Sequence, residues 1–105
     1  MGDATDPPFG SFREFYPYYL AEHSNRWNRR LHFAGQVLAV SLLVGFAATL
    51  DWWLLLAAPL AGYGVSWVGH FLVEGNRPAT FRHPLYSLRG DVTMCWDMLT
   101  GRVPF

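Results

Sequence analysis

Histidine is the residue type in this sequence best suited to metal binding, and it occurs four times, at positions 23, 32, 70 and 83. Neutral imidazole is the commonest metal ligand in proteins, and carboxylate suits hard or borderline cations. The sequence therefore predicts a site for Fe(II), Mn(II) or Zn(II), with His32, His70 and Glu74 as candidate ligands, joined by His23 or His83. A structural role is the alternative, in which histidines near helix ends hydrogen-bond to water or to Glu74 and hold no metal.

The spacing of the histidines around Asp51 indicates how distant positions could meet. His32 lies 19 residues before Asp51, and His70 lies 19 residues after it. The flanking segments, residues 31–50 and 52–73, contain no Asp, Glu, Lys or Arg. Each is long enough for a helix that crosses a bilayer, which needs about 20 mostly apolar residues. If the chain turns at Asp51, two helices rising ~1.5 Å per residue bring His32 and His70 to the same depth.

Polar residues continue this pattern at intervals of four, which keeps them on one face of each predicted helix. The two stripes are Asn28, His32 and Gln36 on the first helix and Ser66, His70 and Glu74 on the second. Since lipid does not tolerate polar side chains at depth, both stripes are predicted to turn inward and face each other. Asn28 is a candidate for substrate contact, and Asn28 or Asp91 is predicted to orient a metal ligand.

Arg77 is the second candidate for substrate binding. Guanidinium binds a carboxylate through two parallel hydrogen bonds, which would clamp an acidic substrate. The alternative is a place in the turn that begins at Arg77-Pro78, with the guanidinium at the lipid phosphates.

The elements that must position these residues are helices, and the predicted fold class is all-α. Two transmembrane helices, at about 31–50 and 52–73, form a membrane helical hairpin. Hydrophobic residues make up 51% of the chain and charged residues only 15%, whereas soluble domains carry about 25% charged residues. A soluble domain with two buried helices is the alternative, but a chain of 105 residues leaves few residues to cover two apolar helices of this length. We predict a flexible N-terminus at 1–10 and a single membrane domain at 11–105.

Two shorter helices are predicted to flank the hairpin. Aromatic residues from Phe12 to about Glu22 suit an N-terminal interfacial helix, and Ser87 is predicted to cap a C-terminal amphipathic helix from Leu88 to about Thr100. All arginines precede the first span or follow the second, so both termini are predicted to be cytoplasmic. We predict an integral protein of a bacterial inner membrane, or of the endoplasmic reticulum in a eukaryote. Zero net charge and the absence of lysine argue against nucleic-acid binding.

Three blocks of the sequence carry a resemblance to a known family. The first runs from Tyr-Leu-Ala-Glu-His at 19–23 to His-Phe-Ala-Gly at 32–35. The second is Trp-Val-Gly-His-Phe-Leu-Val-Glu at 67–74, followed by Asn-Arg-Pro-Ala at 76–79. The third begins with His-Pro-Leu-Tyr-Ser-Leu at 83–88 and extends to Leu-Thr-Gly-Arg at 99–102. The chain resembles the small membrane proteins grouped with the fungal 2-hydroxy fatty acid dioxygenase of the endoplasmic reticulum.

The resemblance implies an Fe(II)-dependent dioxygenase of fatty acid metabolism, an oxidoreductase that uses O2 to shorten a 2-hydroxy fatty acid by one carbon. It implies His23, His32 and His70 as iron ligands, with Glu74 and His83 as further candidates. The rival hypotheses are a non-catalytic membrane hairpin that acts as scaffold or assembly factor, with a structural histidine cluster, and a metal-binding module without catalysis. Because two helices provide few walls for a site, the active form is predicted to be a homo-oligomer.

Overall fold

A computed structural model describes residues 9–105, and its regular elements are all helical. Four α-helices follow one another along the chain: α1 (Phe12–Ala21), α2 (Arg26–Thr49), α3 (Trp52–Val68) and α4 (Pro84–Leu99). The all-α prediction is therefore confirmed for the described part of the chain. Of the predicted flexible segment 1–10, residues 1–8 lie outside the described residues. The division into domains stays a prediction.

The predicted hairpin is formed by α2 and α3. Asn25 begins α2, and its side-chain oxygen accepts a hydrogen bond from the backbone N–H of Trp27 at 2.8 Å. At the other end of α2, Leu50 adopts a left-handed conformation (φ 59°), and Asp51 then begins α3. Two helical stretches, α2 and Trp52–Glu74, are long and apolar enough to cross a membrane. Only 11% and 22% of their most apolar windows are buried inside the protein, so most of this apolar surface faces outward.

Small residues allow α2 and α3 to approach closely. A Cβ atom added to Gly35 would lie 3.0 Å from the carbonyl oxygen of Gly62, and one added to Gly62 would lie 3.4 Å from the Cβ of Ala39. The two predicted polar stripes meet across this contact, where the ring centroids of His32 and His70 are 4.8 Å apart. The prediction that these stripes face each other is confirmed.

After α3 the chain continues into a π-helical segment, Gly69–Glu74. Gly75 ends this segment with φ 77°, a left-handed conformation that glycine adopts without strain. The backbone N–H groups of Gly75 and Asn76 both donate to the carbonyl of His70, at 2.8 and 3.0 Å. The wider π turn therefore folds Asn76 back toward His70. A short 3-10 helix, Ala79–Phe81, then leads to α4.

The start of α4 corrects one prediction. The helix begins at Pro84, one turn before the predicted start at Leu88, and Ser87 lies inside it without capping it. Proline is favoured at the first helical position because its φ is already helical and its missing N–H would have no partner there. The end of α4 at Leu99 agrees with the predicted end at about Thr100.

Helices α1 and α4 pack together across one end of the hairpin, which we call the polar end (the start of α2, the π segment, α1 and α4). Their shared core consists of Phe15, Tyr19, Ala79, Met94 and Met98. The opposite end, at residues 49–53, is called the distal end. Since α1 contributes two buried rings to this core, it is an integral part of the fold. Its predicted place in the membrane interface, and that of α4, stay predictions.

Candidate metal centre

Three histidines from three different elements meet at the polar end. His23 lies in the loop between α1 and α2, His32 lies in α2, and His70 lies in the π segment. One nitrogen of each ring can be chosen so that the three lie within 4.8 Å of one another. The side chains are almost completely buried, with 0%, 4% and 2% exposure. We call this group the histidine trio; within residues 9–105 it is the one cluster of His, Cys, Asp or Glu close enough to share a metal ion.

Each ring of the trio is oriented through its Nδ1 atom. The three partners are oxygen atoms: the Tyr19 carbonyl for His23 (2.6 Å), Asp91 Oδ1 for His32 (2.9 Å) and Asn76 Oδ1 for His70 (2.6 Å). Asn76 presents its oxygen to the ring because its Nδ2 donates to the carbonyl of Glu22 at 2.9 Å. Since these oxygens act only as acceptors, each Nδ1 carries a proton and donates it. The lone pair of each neutral ring is therefore on Nε2.

The Nε2 atoms of His23 and His32 are buried and have no hydrogen-bond partner within the protein. Leaving a buried polar atom without a partner costs about 1–3 kcal/mol, so two such atoms side by side fit a bound group that supplies the missing interaction. A metal ion fits this donor set, because metal-bound imidazoles usually donate their other ring N–H to a carboxylate or carbonyl. The residues present are therefore compatible with a metal held by three imidazoles.

The electrostatics of His23 favour the neutral ring that a metal requires. Burial, and after it the neighbouring His32, lowers the pKa of His23 from 6.5 to about 2, although the hydrogen bond to Tyr19 acts in the opposite direction. Arg29 lies close by and fixes the loop that carries His23, donating to the carbonyls of His23 and Ser24 at 3.0 and 2.8 Å. At neutral pH the ring is thus held in place without a proton on Nε2.

Asp91 of α4 is the acceptor in a network around His32. One carboxylate oxygen accepts from His32 Nδ1, and the other accepts from Gln36 Nε2. The predicted contact of Asp91 with a histidine is therefore present. A carboxylate in this position fixes the orientation and the tautomer of the imidazole that donates to it, as it commonly does for metal-bound histidines.

Glu74 and Asn28, two of the predicted site residues, bond to each other beside the trio. Glu74 accepts from Asn28 Nδ2 at 3.2 Å, and also from the Ser24 hydroxyl and the Asn25 backbone N–H, both at 3.0 Å. A carboxylate at the start of α2 is stabilised by the helix dipole. Asn28 is fully buried, and any side chain at Gly69 would collide with its amide oxygen. Glu74 thus ties the π segment to α2, while its catalytic role and substrate contact by Asn28 stay predictions.

The fourth histidine and the predicted substrate arginine lie outside the trio. His83 precedes α4, and its ring packs against Phe9 and Phe15 at centroid distances of 5.2 and 5.5 Å. Arg77 is exposed in the loop after the π segment. The structure does not bring either side chain into the cluster, so their roles as metal ligand and substrate-binding residue remain untested predictions.

An apolar groove with a volume of about 390 Å³ begins at the trio. His32, His70 and Asp91 line it, and its walls follow α2 and α3 as far as Leu43 and Leu55. Gln36 lies next to His32 in this wall, and most of the lining residues farther along are small or apolar: Ala39, Val40, Ala58, Pro59 and Gly62. Five hydroxyl side chains also line it, those of Tyr19, Tyr63, Ser66, Thr80 and Ser87. The arrangement joins a candidate metal centre to a space for a long apolar group.

Two residues of the site have no predicted role in the sequence, Tyr19 and Asn76. Tyr19 precedes His23 by four positions, a spacing that places side chains together on a helix and that could have been noticed. Asn76 follows His70 by six positions, a spacing that an α-helix does not bring together. The π segment creates that contact, and no signal in the sequence indicated it.

The fold and site define a class of protein: a small helical protein with a buried three-histidine centre beside an apolar groove. A family model described as 2-hydroxy-palmitic acid dioxygenase Mpo1-like matches residues 9–103. The chain therefore belongs to the Mpo1-like family, which confirms the resemblance found in the sequence. Comparisons with curated proteins and with solved structures found no significant match.

Proposed function

We propose that this protein is a membrane-bound non-haem Fe(II)-dependent oxygenase that acts on a fatty acyl substrate such as a 2-hydroxy fatty acid. One observation carries the proposal: three buried imidazoles, oriented through Nδ1, lie where an apolar groove begins. The description of the family names a dioxygenase and a 2-hydroxy acid with a long alkyl chain. The trio suits the oxidation chemistry in this description, and the groove suits the alkyl chain.

Fe(II) is the metal that we propose for the trio. Three protein ligands leave coordination positions for substrate and O2, as in the open sites of non-haem iron oxygenases. When bound there, Fe(II) would supply the redox chemistry with O2. The chain's own contribution is orientation. Asp91, Asn76 and the Tyr19 carbonyl accept hydrogen bonds from the Nδ1–H groups of the three rings, which leaves the lone pair of each Nε2 available to the metal.

The groove suits a fatty acyl chain because it runs from the trio along α2 and is lined mostly by apolar residues. From His32 to Leu43 the axis of α2 rises about 16 Å, at ~1.5 Å per residue, and both residues line the groove. We propose that the carboxylate and 2-hydroxyl lie at the trio and that the alkyl chain follows the apolar wall, which excludes water from it. Arg77 does not line the groove, so in this proposal it offsets the negative charge of the substrate only from a distance.

We propose that α2 and Trp52–Glu74 cross a membrane. The outward-facing apolar surface of these helices supports this, since the core helices of a soluble protein are mostly buried. Exposed Trp52 and Trp53 at the distal end suit an interface. All eight arginines belong to the other end, so we place both termini in the cytoplasm, at a bacterial inner membrane or the endoplasmic reticulum of a eukaryote. A homo-oligomer would provide further walls for the groove.

The direct test is turnover by the full chain, purified in detergent and loaded with Fe(II) without air. We expect 2-hydroxypalmitate plus O2 to give an acid one carbon shorter, measured by mass spectrometry, whereas palmitate, which lacks the hydroxyl, stays unchanged. His70→Ala is expected to abolish the product. His83→Ala is the matched control, because His83 lies outside the trio, and should keep it.

The second candidate function is a non-catalytic hairpin that acts as a scaffold or assembly factor. Two hydrogen bonds favour it: Asn28–Glu74 joins the two stripes and His32–Asp91 joins α2 to α4, so both would hold the helices together without a metal. Under this alternative, His70→Ala lowers thermal stability, and the folded wild-type protein neither retains iron nor consumes the 2-hydroxy acid. The unpartnered nitrogens of His23 and His32 favour the oxygenase.

A further inference from the structure

A buried serine lines the groove about one helical turn from the histidine trio. Ser66 of α3 is 6% exposed, and its side chain is part of the groove wall. It precedes His70 by four residues, which places it about one turn nearer the distal end. The groove extends from the trio in the same direction, as far as Leu43 and Leu55. A molecule that is held at the trio and extends into the groove would therefore pass Ser66.

The hydroxyl of Ser66 differs from other hydroxyls of the helices in its hydrogen bonding. Serine and threonine within a helix commonly donate to the carbonyl four residues earlier. Ser41 of α2 donates in this way to Val37 at 2.7 Å, and Thr93 of α4 donates to Arg89 at 2.7 Å. Within residues 9–105, the Ser66 hydroxyl has no hydrogen-bond partner. Its donor and its acceptor are therefore both available to a molecule in the groove.

A glycine of α2 provides the space that the Ser66 hydroxyl occupies. A Cβ atom added to Gly35 would lie 3.4 Å from Ser66 Oγ and 3.0 Å from the carbonyl oxygen of Gly62. Gly35 follows His32 by three residues, so the hydroxyl lies between α2 and α3 beside the trio. Ser87 is also buried and also lines the groove, but only Ser66 shares a polar stripe with a histidine of the trio. Ser66 is thus the serine best placed to contact a group held there.

The groove offers neutral hydroxyls, and not cations, to a polar substrate. The described residues that line it include no arginine or lysine, and its carboxylate, Asp91, already accepts from His32 and Gln36. Because a hydroxyl both donates and accepts, serine can bond to a substrate hydroxyl in either direction. An acid without a 2-hydroxyl would leave the buried Ser66 hydroxyl without a partner, which weakens its binding. Sites that bond a substrate hydroxyl reject analogues that lack it for this reason.

We propose that Ser66 is a substrate-binding residue that recognises the 2-hydroxyl of the fatty acid and so selects 2-hydroxy acids over unsubstituted acids. This inference rests on the proposed function, because it requires a fatty acyl substrate with its polar head at the trio. A metal alone could also favour a 2-hydroxy acid, since the hydroxyl oxygen is a ligand. The specific content of the proposal is that a side chain of α3 supplies part of the preference.

The test compares Ser66→Ala with Ser41→Ala in the full chain in detergent. Both variants remove one serine hydroxyl from the hairpin, but Ser41 is exposed and does not line this groove. The protein is loaded with Zn(II), which is redox-inactive, so no turnover occurs. Displacement of a fluorescent polyene fatty acid then gives the dissociation constants of 2-hydroxypalmitate and palmitate, and thermal unfolding shows that each variant is folded.

We expect the wild type to bind 2-hydroxypalmitate more tightly than palmitate. Ser66→Ala should weaken binding of 2-hydroxypalmitate roughly 3–10-fold, the range for one lost hydrogen bond, and should change palmitate binding by less than about twofold. Ser41→Ala should match the wild type with both acids.

Three outcomes would overturn the inference and leave the proposed oxygenase intact. The wild type could bind both acids equally, or Ser66→Ala could keep the full preference, which would assign it to the metal alone. Equal weakening of both acids by Ser66→Ala would indicate a structural role of the serine. A folded wild type that binds neither Zn(II) nor either acid would overturn the proposed function as well.

Discussion

The two ends of the hairpin are built by different kinds of interaction. At the distal end, Thr49 Oγ1 bonds the carbonyl of Gly45 and Trp52 packs on Phe46, so each partner is at most six residues away. The side chains of Leu50, Trp52 and Trp53 are 64–68% exposed. At the polar end, the His32–Asp91 bond joins positions 59 apart and the Asn28–Glu74 bond joins positions 46 apart. Asn28 and His32 there are only 0% and 4% exposed.

The difference shows that the contacts between residues distant in sequence are concentrated at the polar end. Local bonds suffice to turn the chain between two apolar helices. Three imidazoles from separate elements, however, need partners from α1, from the loop after the π segment and from α4 to hold them in place. The distal end should therefore tolerate substitution, while changes at the polar end should alter the metal centre, and this contrast is open to four tests.

The largest effect is expected from removal of a ring of the trio. His32→Ala and His70→Ala should each weaken Fe(II) binding by at least about 100-fold, more than the loss of an outer hydrogen bond costs. Trp53→Ala, at the distal end, should bind as the wild type does. Anaerobic titration of folded protein measures this. Unchanged affinity in both histidine variants would remove the trio from the site.

The contact between Gly69 and Asn28 provides the second test. A side chain at Gly69 would collide with the buried Asn28 amide, whereas a Cβ at Gly64 meets nothing within 4 Å. Gly69→Ala should therefore lower the free energy of unfolding by roughly 1–3 kcal/mol. Gly64→Ala should leave it unchanged or raise it by up to about 1 kcal/mol. Unfolding of both variants in detergent by a denaturing surfactant gives the comparison, and equal effects would contradict the packing described.

The groove that links the two ends provides the third test. Leu43 and Leu38 of α2 are both 43% exposed, but only Leu43 lines the groove. Leu43→Trp should shorten the groove and shift preference toward shorter 2-hydroxy acids by roughly 10-fold, the scale on which hydrophobic pockets discriminate chain length. Competition between acids of different length measures the ratio. If Leu38→Trp produced the same shift, the groove would not be the path of the alkyl chain.

The smallest effect concerns the Tyr16–Asp97 pair of the polar end. Burial, and then the bond to Asp97, raises the pKa of Tyr16 above 10.0, so the folded protein keeps a proton that the unfolded chain loses. Tyr16 therefore stabilises the fold fully below pH 10, and this contribution declines as pH rises further. Burial also raises the pKa of Tyr19, so in an alkaline titration followed by tyrosinate absorbance, Tyr16→Phe should show one late-titrating tyrosine fewer than the wild type. Identical curves would mean that the pair does not persist in solution.

The same contrast explains what the sequence could predict. The turn near Asp51 depends on neighbouring residues, so it could be predicted from the local pattern. The prediction that His32 and His70 lie at the same depth followed from their equal spacing around this turn. It required only the regular rise of two helices, which is also a local property.

Features that depend on distant elements were less accessible. The contact of Asn76 with His70 requires a π segment, which four-residue periodicity does not predict. The place of Tyr19 depends on how α1 packs against α4. His83 was grouped with the other histidines by residue type, yet its ring lies against Phe9 and Phe15. Residue type and helical period thus paired His32 with His70, and the family resemblance added His23, but the surrounding partners required the structure.

The most direct measurement is iron content together with X-ray absorption at the iron edge, on full-length protein loaded with Fe(II) without air. The account predicts near-stoichiometric iron with scattering from three imidazoles, and loss of one imidazole contribution or of the iron itself in His23→Ala. Folded wild-type protein that binds no iron, or binds it without imidazole scattering, would contradict the central claim that the histidine trio is a metal centre.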